Sequence, residues 1–146
     1  MQIRAMTIED YGEVYALWAC TPGMGLNALD DSMEGIGRYL RRNPNTCFVA
    51  EESGELVGVI LSGHDGRRGF IYHTAVNLAQ RGKGIGSALV GHALCALREE
   101  GIGKVALVAF SENEKGNAFW ARQGFSLRED LCYRNKVIGE SKALHT

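Results

Sequence analysis

The stretch Gln80-Arg81-Gly82-Lys83-Gly84-Ile85-Gly86-Ser87 decides how this chain is read. It follows an apolar, strand-like run from Phe70 to Leu78 and opens a strongly periodic helix. Glycines at 82, 84 and 86 leave main-chain N–H groups uncovered at a helix start. There the first donors have no intrahelical partner and the macrodipole is positive. Arg81 and Lys83 add fixed charge beside them. The combination predicts a site for a phosphate-bearing ligand.

The bulk properties narrow the classes of function. At 146 residues, with 45% hydrophobic and 23% charged residues, the chain has the length and composition of one ordinary globular domain. Sixteen basic residues against 17 acidic ones give a net charge of −1, so no global field points to nucleic acid or a membrane surface. Basic character is local: Arg67-Arg68 and Arg81/Lys83, with Arg41-Arg42 read as the charged end of a helix. No apolar run approaches the roughly 18 residues of a membrane span, and the start of the sequence is read as a first strand with no signal peptide expected. Cys20, Cys47, Cys95 and Cys132 show no C-x-x-C or zinc-type spacing. They are expected to be reduced and structural, in a cytoplasmic protein without a metal.

The order of elements follows from period and punctuation. Gln2–Ala5 reads as a strand, and Thr7 caps a helix running to about Cys20. Thr21-Pro22-Gly23-Met24-Gly25 breaks it, and a second helix starts at Asp31 or Ser32 and ends at Asn43-Pro44. Cys47–Glu51, Leu56–Gly63 and Phe70–Val76, separated by Ser53-Gly54 and Asp65-Gly66 turns, predict an antiparallel meander. The helix Gly84–Glu100 is expected to bury Ile85, Leu89, His92/Ala93, Ala96 and Leu97, with Gly101 ending it. Lys104–Phe110 reads as a strand covered on both faces, Glu112–Gln123 as a helix, and Phe125–Leu127 with Leu131–Val137 as a closing strand pair. The expected fold is α/β (α+β): one domain over residues 1–138, a mixed, mostly antiparallel sheet flanked by helices, and a loose tail at 139–146.

Several ligands suit a glycine-rich strand-to-helix turn. A Walker A loop needs Lys-Ser/Thr after its last glycine, whereas Gly86 is followed by Ser87-Ala88. The dinucleotide pattern G-x-G-x-x-G/A places Ser87 or Leu89 at its third position, and it normally sits on the first strand of a parallel sheet. A tight turn with no ligand is the plain structural alternative. The wider context resembles the GNAT superfamily of N-acetyltransferases. Arg81-Gly-Lys-Gly84-Ile-Gly86 is similar to its acetyl-CoA signature R/Q-x-x-G-x-G/A, and Asn113, Gly116, Phe119-Trp120 and Gly124-Phe125 resemble its N-x-x-A-x-x-F-Y-x-x-x-G-F ending. The element order fits as well, so the likeness covers nearly the whole chain.

The resemblance implies acetyl-CoA as co-substrate, with its pyrophosphate held by main-chain N–H groups of Arg81, Gly82, Lys83, Gly84, Ile85, Gly86 and Ser87. Ala75 and Val76 would pair with the pantetheine arm, because the signature strand and the Val105 strand splay apart. The N–H near Val76 would face the thioester oxygen. Asn113 would orient the pantetheine end, or serve as a plain helix N-cap. Trp120, counted with the cofactor contacts, stands where the family carries a tyrosine that protonates the leaving thiolate. Indole cannot give up its proton usefully, so the departure puts that general acid in doubt; Tyr133 is the stand-in.

The implied activity is acetyl transfer to a primary amine of a small molecule or peptide by direct nucleophilic attack. The alternative is a non-catalytic acyl-CoA binding or sensing module. A lysine-like amine of pKa ~10.4 is deprotonated in about one molecule in 2,500 at pH 7, which costs roughly 4.6 kcal/mol; an α-amino group costs about 1.4 kcal/mol. A base therefore matters most for the first. Tyr72 and His73 occupy the strand positions where relatives carry acids, and strand alternation sends only one into the cleft. His73 is the preferred base, or simply a satisfied strand histidine; Tyr72 is the alternative and Glu51 the reserve, acting through water. Met24, Leu26 and Trp18 are candidate acceptor walls, with Asp30 or Asp31 attracting the amine. Arg67-Arg68 at the hairpin tip would contact an anionic substrate or a second subunit of a homodimer. His92 and His145 receive no role.

Overall fold

A computed structural model describes residues 1–139. The chain folds in the order β1 (Gln2–Ala5), α1 (Tyr11–Ala19), α2 (Met33–Arg42), β2 (Phe48–Glu52), β3 (Glu55–His64), β4 (Gly69–Val76), α3 (Ile85–Glu99), β5 (Val105–Ala106) and α4 (Glu114–Arg122). Short 3-10 turns, Ile8–Asp10 and Leu78–Gln80, lead into α1 and away from β4. The strands form one five-stranded sheet in the order β1-β2-β3-β4-β5, antiparallel except for the parallel β4–β5 pair. The α/β class, the meander and the four helices agree with the sequence expectation.

Each face of the sheet buries its own apolar set. Val14 and Trp18 of α1 and Ile36 and Leu40 of α2 pack on Val49, Val59, Leu61 and Ala75. Ile85, Leu89, Val90 and Ala93 of α3 pack on Ala50, Val57, Ile60 and Ile71 of the opposite face. Two irregularities interrupt the strand alternation. Val57 is an extra residue between the pairs Ala50↔Gly58 and Glu51↔Leu56, and a second bulge lies between Val59↔Ala75 and Leu61↔Tyr72. The second bulge places His73 at φ +40, in the left-handed region that side chains rarely adopt.

Sequence and structure part company toward the C-terminus. The strand expected over Lys104–Phe110 contracts to Val105–Ala106, and Val108 and Phe110 are more than half exposed rather than covered on both faces. The closing pair Phe125–Leu127 and Leu131–Val137 is not formed: residues 126–139 make no main-chain hydrogen bond to another described residue, and Leu127, Leu131 and Tyr133 stand exposed. Their alternation satisfies a strand's pattern, but a strand needs a partner edge, and main chain beyond Ala106 is not hydrogen-bonded as one. His92 faces solvent while Val90 takes its place in the core. All four cysteines are free, yet only Cys47 is buried, where desolvation pushes its thiol up to about 12; Cys20, Cys95 and Cys132 are exposed and do not act as core residues. The tail expected from 139, and His145 within it, lie beyond the described residues except for Gly139.

The entry to α1 is tied to the sheet by charge. The Arg4 guanidinium donates to both carboxylate oxygens of Asp10 (2.9 and 2.7 Å) and to Glu51 (2.6 Å), and Asp10 also accepts the Thr7 N–H at 2.9 Å. Arg4, outweighing desolvation, holds the Asp10 carboxyl below its ordinary range. A depressed folded-state value means that the stabilisation is present at neutral pH and lost as pH falls through that value. Asp10→Asn is expected to lower stability by about 1–3 kcal/mol at pH 7 in urea titrations. The difference from the parent protein should shrink as the pH is taken below the normal aspartate range.

Candidate active site

The site is a cleft made by strand divergence. β4 and β5 pair only at Gly69↔Val105 and Phe70↔Ala106, after which the two segments separate. The gap opens into a cavity of about 1260 Å³, lined by β4 from Ile71 to Val76, by the turn into α3, by residues 107–110, by α4 and by the Thr21–Met24 loop. From Ile71 onward, β4 has a strand partner on its β3 side alone. Its other edge offers unpaired main-chain groups to whatever enters, much as an edge strand accepts an added strand.

One end of the cleft is the glycine turn. Gly82 and Gly84 both have φ +80, and Gly84 is the left-handed N-cap of α3 with no side-chain cap. None of the main-chain N–H groups from Gly82 to Ser87 donates to another described residue. This leaves a run of oriented donors at the positive end of a helix, an arrangement that favours an anion. Gly82, Gly84, Ile85, Gly86 and Ser87 line the cavity, as do Ala75, Val76 and Arg81, whose Nε donates to the Val76 carbonyl at 3.4 Å. Lys83 does not line it; its ammonium donates to Gln80. Gly86 serves packing: a Cβ there would lie 3.1 Å from the Phe119 ring, so its glycine lets α4 close on the start of α3.

The opposite end holds the titratable groups. The bulge in β4 breaks the alternation expected to send only one of Tyr72 and His73 into the cleft. Both line it, with ring centroids 6.4 Å apart. The His73 carbonyl accepts the Trp18 indole N–H at 2.9 Å, and its Nε2 lies 2.9 Å from Asp31 Oδ1. Asp31, reached across 42 positions of sequence, is a buried residue whose other oxygen accepts the Asn27 N–H at 2.8 Å. Gly35 permits this: a Cβ there would overlap the Asp30 carbonyl, so its absence lets the 27–31 turn fold tightly onto α2. Tyr72 rests against Phe70 and Tyr39; partial burial first, then Tyr133 and Asp30, push its phenol up.

The remaining candidates fall in different places. Asn113 caps α4 by accepting the Gly116 N–H at 3.0 Å and also lines the cleft. Trp120 lines it while its ring packs edge-on to Phe119 and Phe125. Glu51 is held by Arg4 and does not line the cavity, nor does Tyr133, which is largely exposed with its hydroxyl accepting from Asn135. Sequence reasoning named Asp31 as a candidate helix start and as an attractor for an amine; nothing local in Asp30-Asp31-Ser32 reveals its histidine partner. No group of metal-binding side chains occurs among the described residues.

The order of elements, the turn and the splayed strands have a counterpart in known proteins. The family model described as "Acetyltransferase (GNAT) family" matches residues 12–125. The chain belongs to the GNAT family. An acetyltransferase of Sodalis glossinidius (strain morsitans) is 30% identical over 143 residues, covering 97% of this chain and 99% of the relative. Ard1 from Thermoplasma volcanium superposes with a TM-score of 0.77 at 24% identity, covering 87% of this chain and 83% of its own. A Mycobacterium tuberculosis protein solved in complex with CoA gives 0.71 at 24% identity, with coverage of 88% and 74%. The GNAT domain described here is an acyltransferase, and the reading as a non-catalytic sensing module is set aside.

The Gly86–Phe119 contact is testable through size. In Gly86→Ala, the helix-propensity gain of up to about 1 kcal/mol offsets a mild clash, so little change is expected. Gly86→Val overfills the contact and should lower stability by about 1–3 kcal/mol, read as a shift in denaturant midpoint at constant m-value.

Proposed function

We propose that the GNAT domain transfers the acetyl group of acetyl-CoA to a primary amine of a small molecule or peptide by direct attack on the thioester. The observation that carries this reading is the run of unpartnered N–H groups from Gly82 to Ser87, set at one end of an unpaired β4 edge whose other end holds His73. The turn suits the pyrophosphate. The Ala75–Val76 main chain suits the amide-bearing pantetheine arm, and the Val76 N–H the thioester oxygen. The CoA bound by the Mycobacterium tuberculosis protein supports the same ligand here.

Proton management follows from chemistry. A lysine-like amine needs help to lose its proton, and His73 places an imidazole, a side chain suited to general-base work, at the cleft. Tyr72, pushed up by burial first and then by Tyr133 and Asp30, keeps its proton and is a donor rather than a base. Trp120 supplies no transferable proton, and Tyr133 does not line the cleft. The thiol product, with a pKa near ~8.5, leaves as thiolate without a dedicated acid. Asp30, near Tyr72, adds negative charge that favours a cationic amine at this end. The free cysteines suit a reducing, cytoplasmic compartment, and no described helix is long and apolar enough to cross a membrane.

Release of free thiol from acetyl-CoA should accelerate in the presence of one or more members of a panel of lysine, polyamine, aminoglycoside and N-terminal peptide acceptors. Gly84→Asp combines a left-handed backbone position with a carboxylate facing the diphosphate. It should weaken acetyl-CoA binding at least ~10-fold by calorimetry, about 1.4 kcal/mol, in a protein with unchanged far-UV circular dichroism. Unchanged affinity would refute the assignment of the turn.

A further inference from the structure

Resting on the acetyl-transfer reading above, we infer that Asp31 is a positioning residue that fixes His73 as its Nε2–H tautomer and leaves Nδ1 to take the proton from the acceptor amine. The geometry is specific. A carboxylate only accepts hydrogen bonds, so the 2.9 Å contact between Asp31 Oδ1 and His73 Nε2 places the ring hydrogen on Nε2. In a neutral imidazole, Nδ1 then carries the lone pair. Nδ1 makes no hydrogen bond to a described residue and is not among the buried polar atoms left without a partner, so it is not sealed off, and His73 itself lines the cleft.

Both partners are held on more than one side. Asp31 takes the Asn27 N–H on its second oxygen, and its own carbonyl accepts the Tyr11 hydroxyl at 2.7 Å. Its side chain is only 7% exposed and that of His73 16%, so water competes little for the bond. On the His73 side, the Trp18 indole pins the carbonyl and its ring stands edge-on at 5.1 Å. The residue occupies φ +40 in a strand bulge, a conformation that needs support from its surroundings. The groups facing this ring are Asp31 from the turn before α2, Trp18 from α1 and Tyr72 from β4, with Asp30 and Tyr133 near Tyr72. Neither His73 nor Asp31 has a hydrogen bond from a lysine or arginine of the described chain.

The ammonium proton of the acceptor passes to Nδ1, and Asp31 stabilises the imidazolium that results. The freed nitrogen lone pair forms the C–N bond to the thioester carbon, and the C–S bond breaks with its electron pair leaving on sulfur. The new amide nitrogen sheds its remaining extra proton to solvent, while the imidazolium or solvent reprotonates the thiolate.

The tautomer can be read without turnover. Long-range proton–nitrogen NMR of the His73 ring in the parent protein should show the Nε2–H form at neutral pH; the Nδ1–H form would overturn the inference. Asp31→Asn presents an amide that can donate to Nε2, so the ring should switch to Nδ1–H. With an acceptor amine identified, this variant should lose kcat on the order of 100-fold or more, within the roughly 10²–10⁴-fold range of general-base effects. Its KM for acetyl-CoA should stay the same. A merely structural contact predicts lowered stability with the tautomer unchanged, which also overturns the inference. If the parent protein binds acetyl-CoA but acetylates nothing, the transfer reading fails, while the NMR result still decides the Asp31–His73 relationship.

Discussion

The parting of β4 from β5 after two residue pairs is the constraint from which the rest of the architecture follows. Had the ladder continued, Ile71 to Val76 would spend their outer hydrogen-bonding groups on a neighbouring strand, and no cleft would exist. Because it stops, the main chain of β4 along the cleft is left without a partner strand on that side. The same divergence leaves Val108 and Phe110 exposed to the opening instead of buried. α3 and α4 are drawn together at the far side of the opening through Gly86 and Phe119, so the gap is braced rather than collapsed.

The two ends of the cleft solve different physical problems. At the glycine turn the chain presents donors with little side-chain bulk, and left-handed φ values at Gly82 and Gly84 aim them together. At the other end it uses a bulge to bring adjacent side chains, Tyr72 and His73, to the same cavity. A regular strand would have separated them onto opposite faces. The bulge therefore serves the site, while the regular pairing on either side of it holds the sheet.

What was legible in the sequence tracks how local the determining physics is. α3 could be placed because its start, period and stop are written within a few residues of one another, from Gly84 to Gly101. The meander was legible for the same reason, through Ser53-Gly54 and Asp65-Gly66. The closing strands were not: the alternation at Leu131–Val137 records compatibility with a sheet and carries no information about an available edge. Simple alternation likewise misjudged Tyr72 and His73, because a bulge depends on register against the neighbouring strand. The Asp31–His73 contact joins positions 42 apart, and only the folded chain sets them side by side.

The long C-terminal run carries a consequence of its own. Every wall of the cleft is complete by Arg122, whereas the apolar Leu127, Leu131 and Ile138 project outward from main chain without ladder bonds. A protease therefore finds its easiest target downstream of Phe125, where cutting would spare the whole cavity. The same sticky side chains make this stretch, rather than the enclosed core, the first place where crowded molecules would adhere to one another.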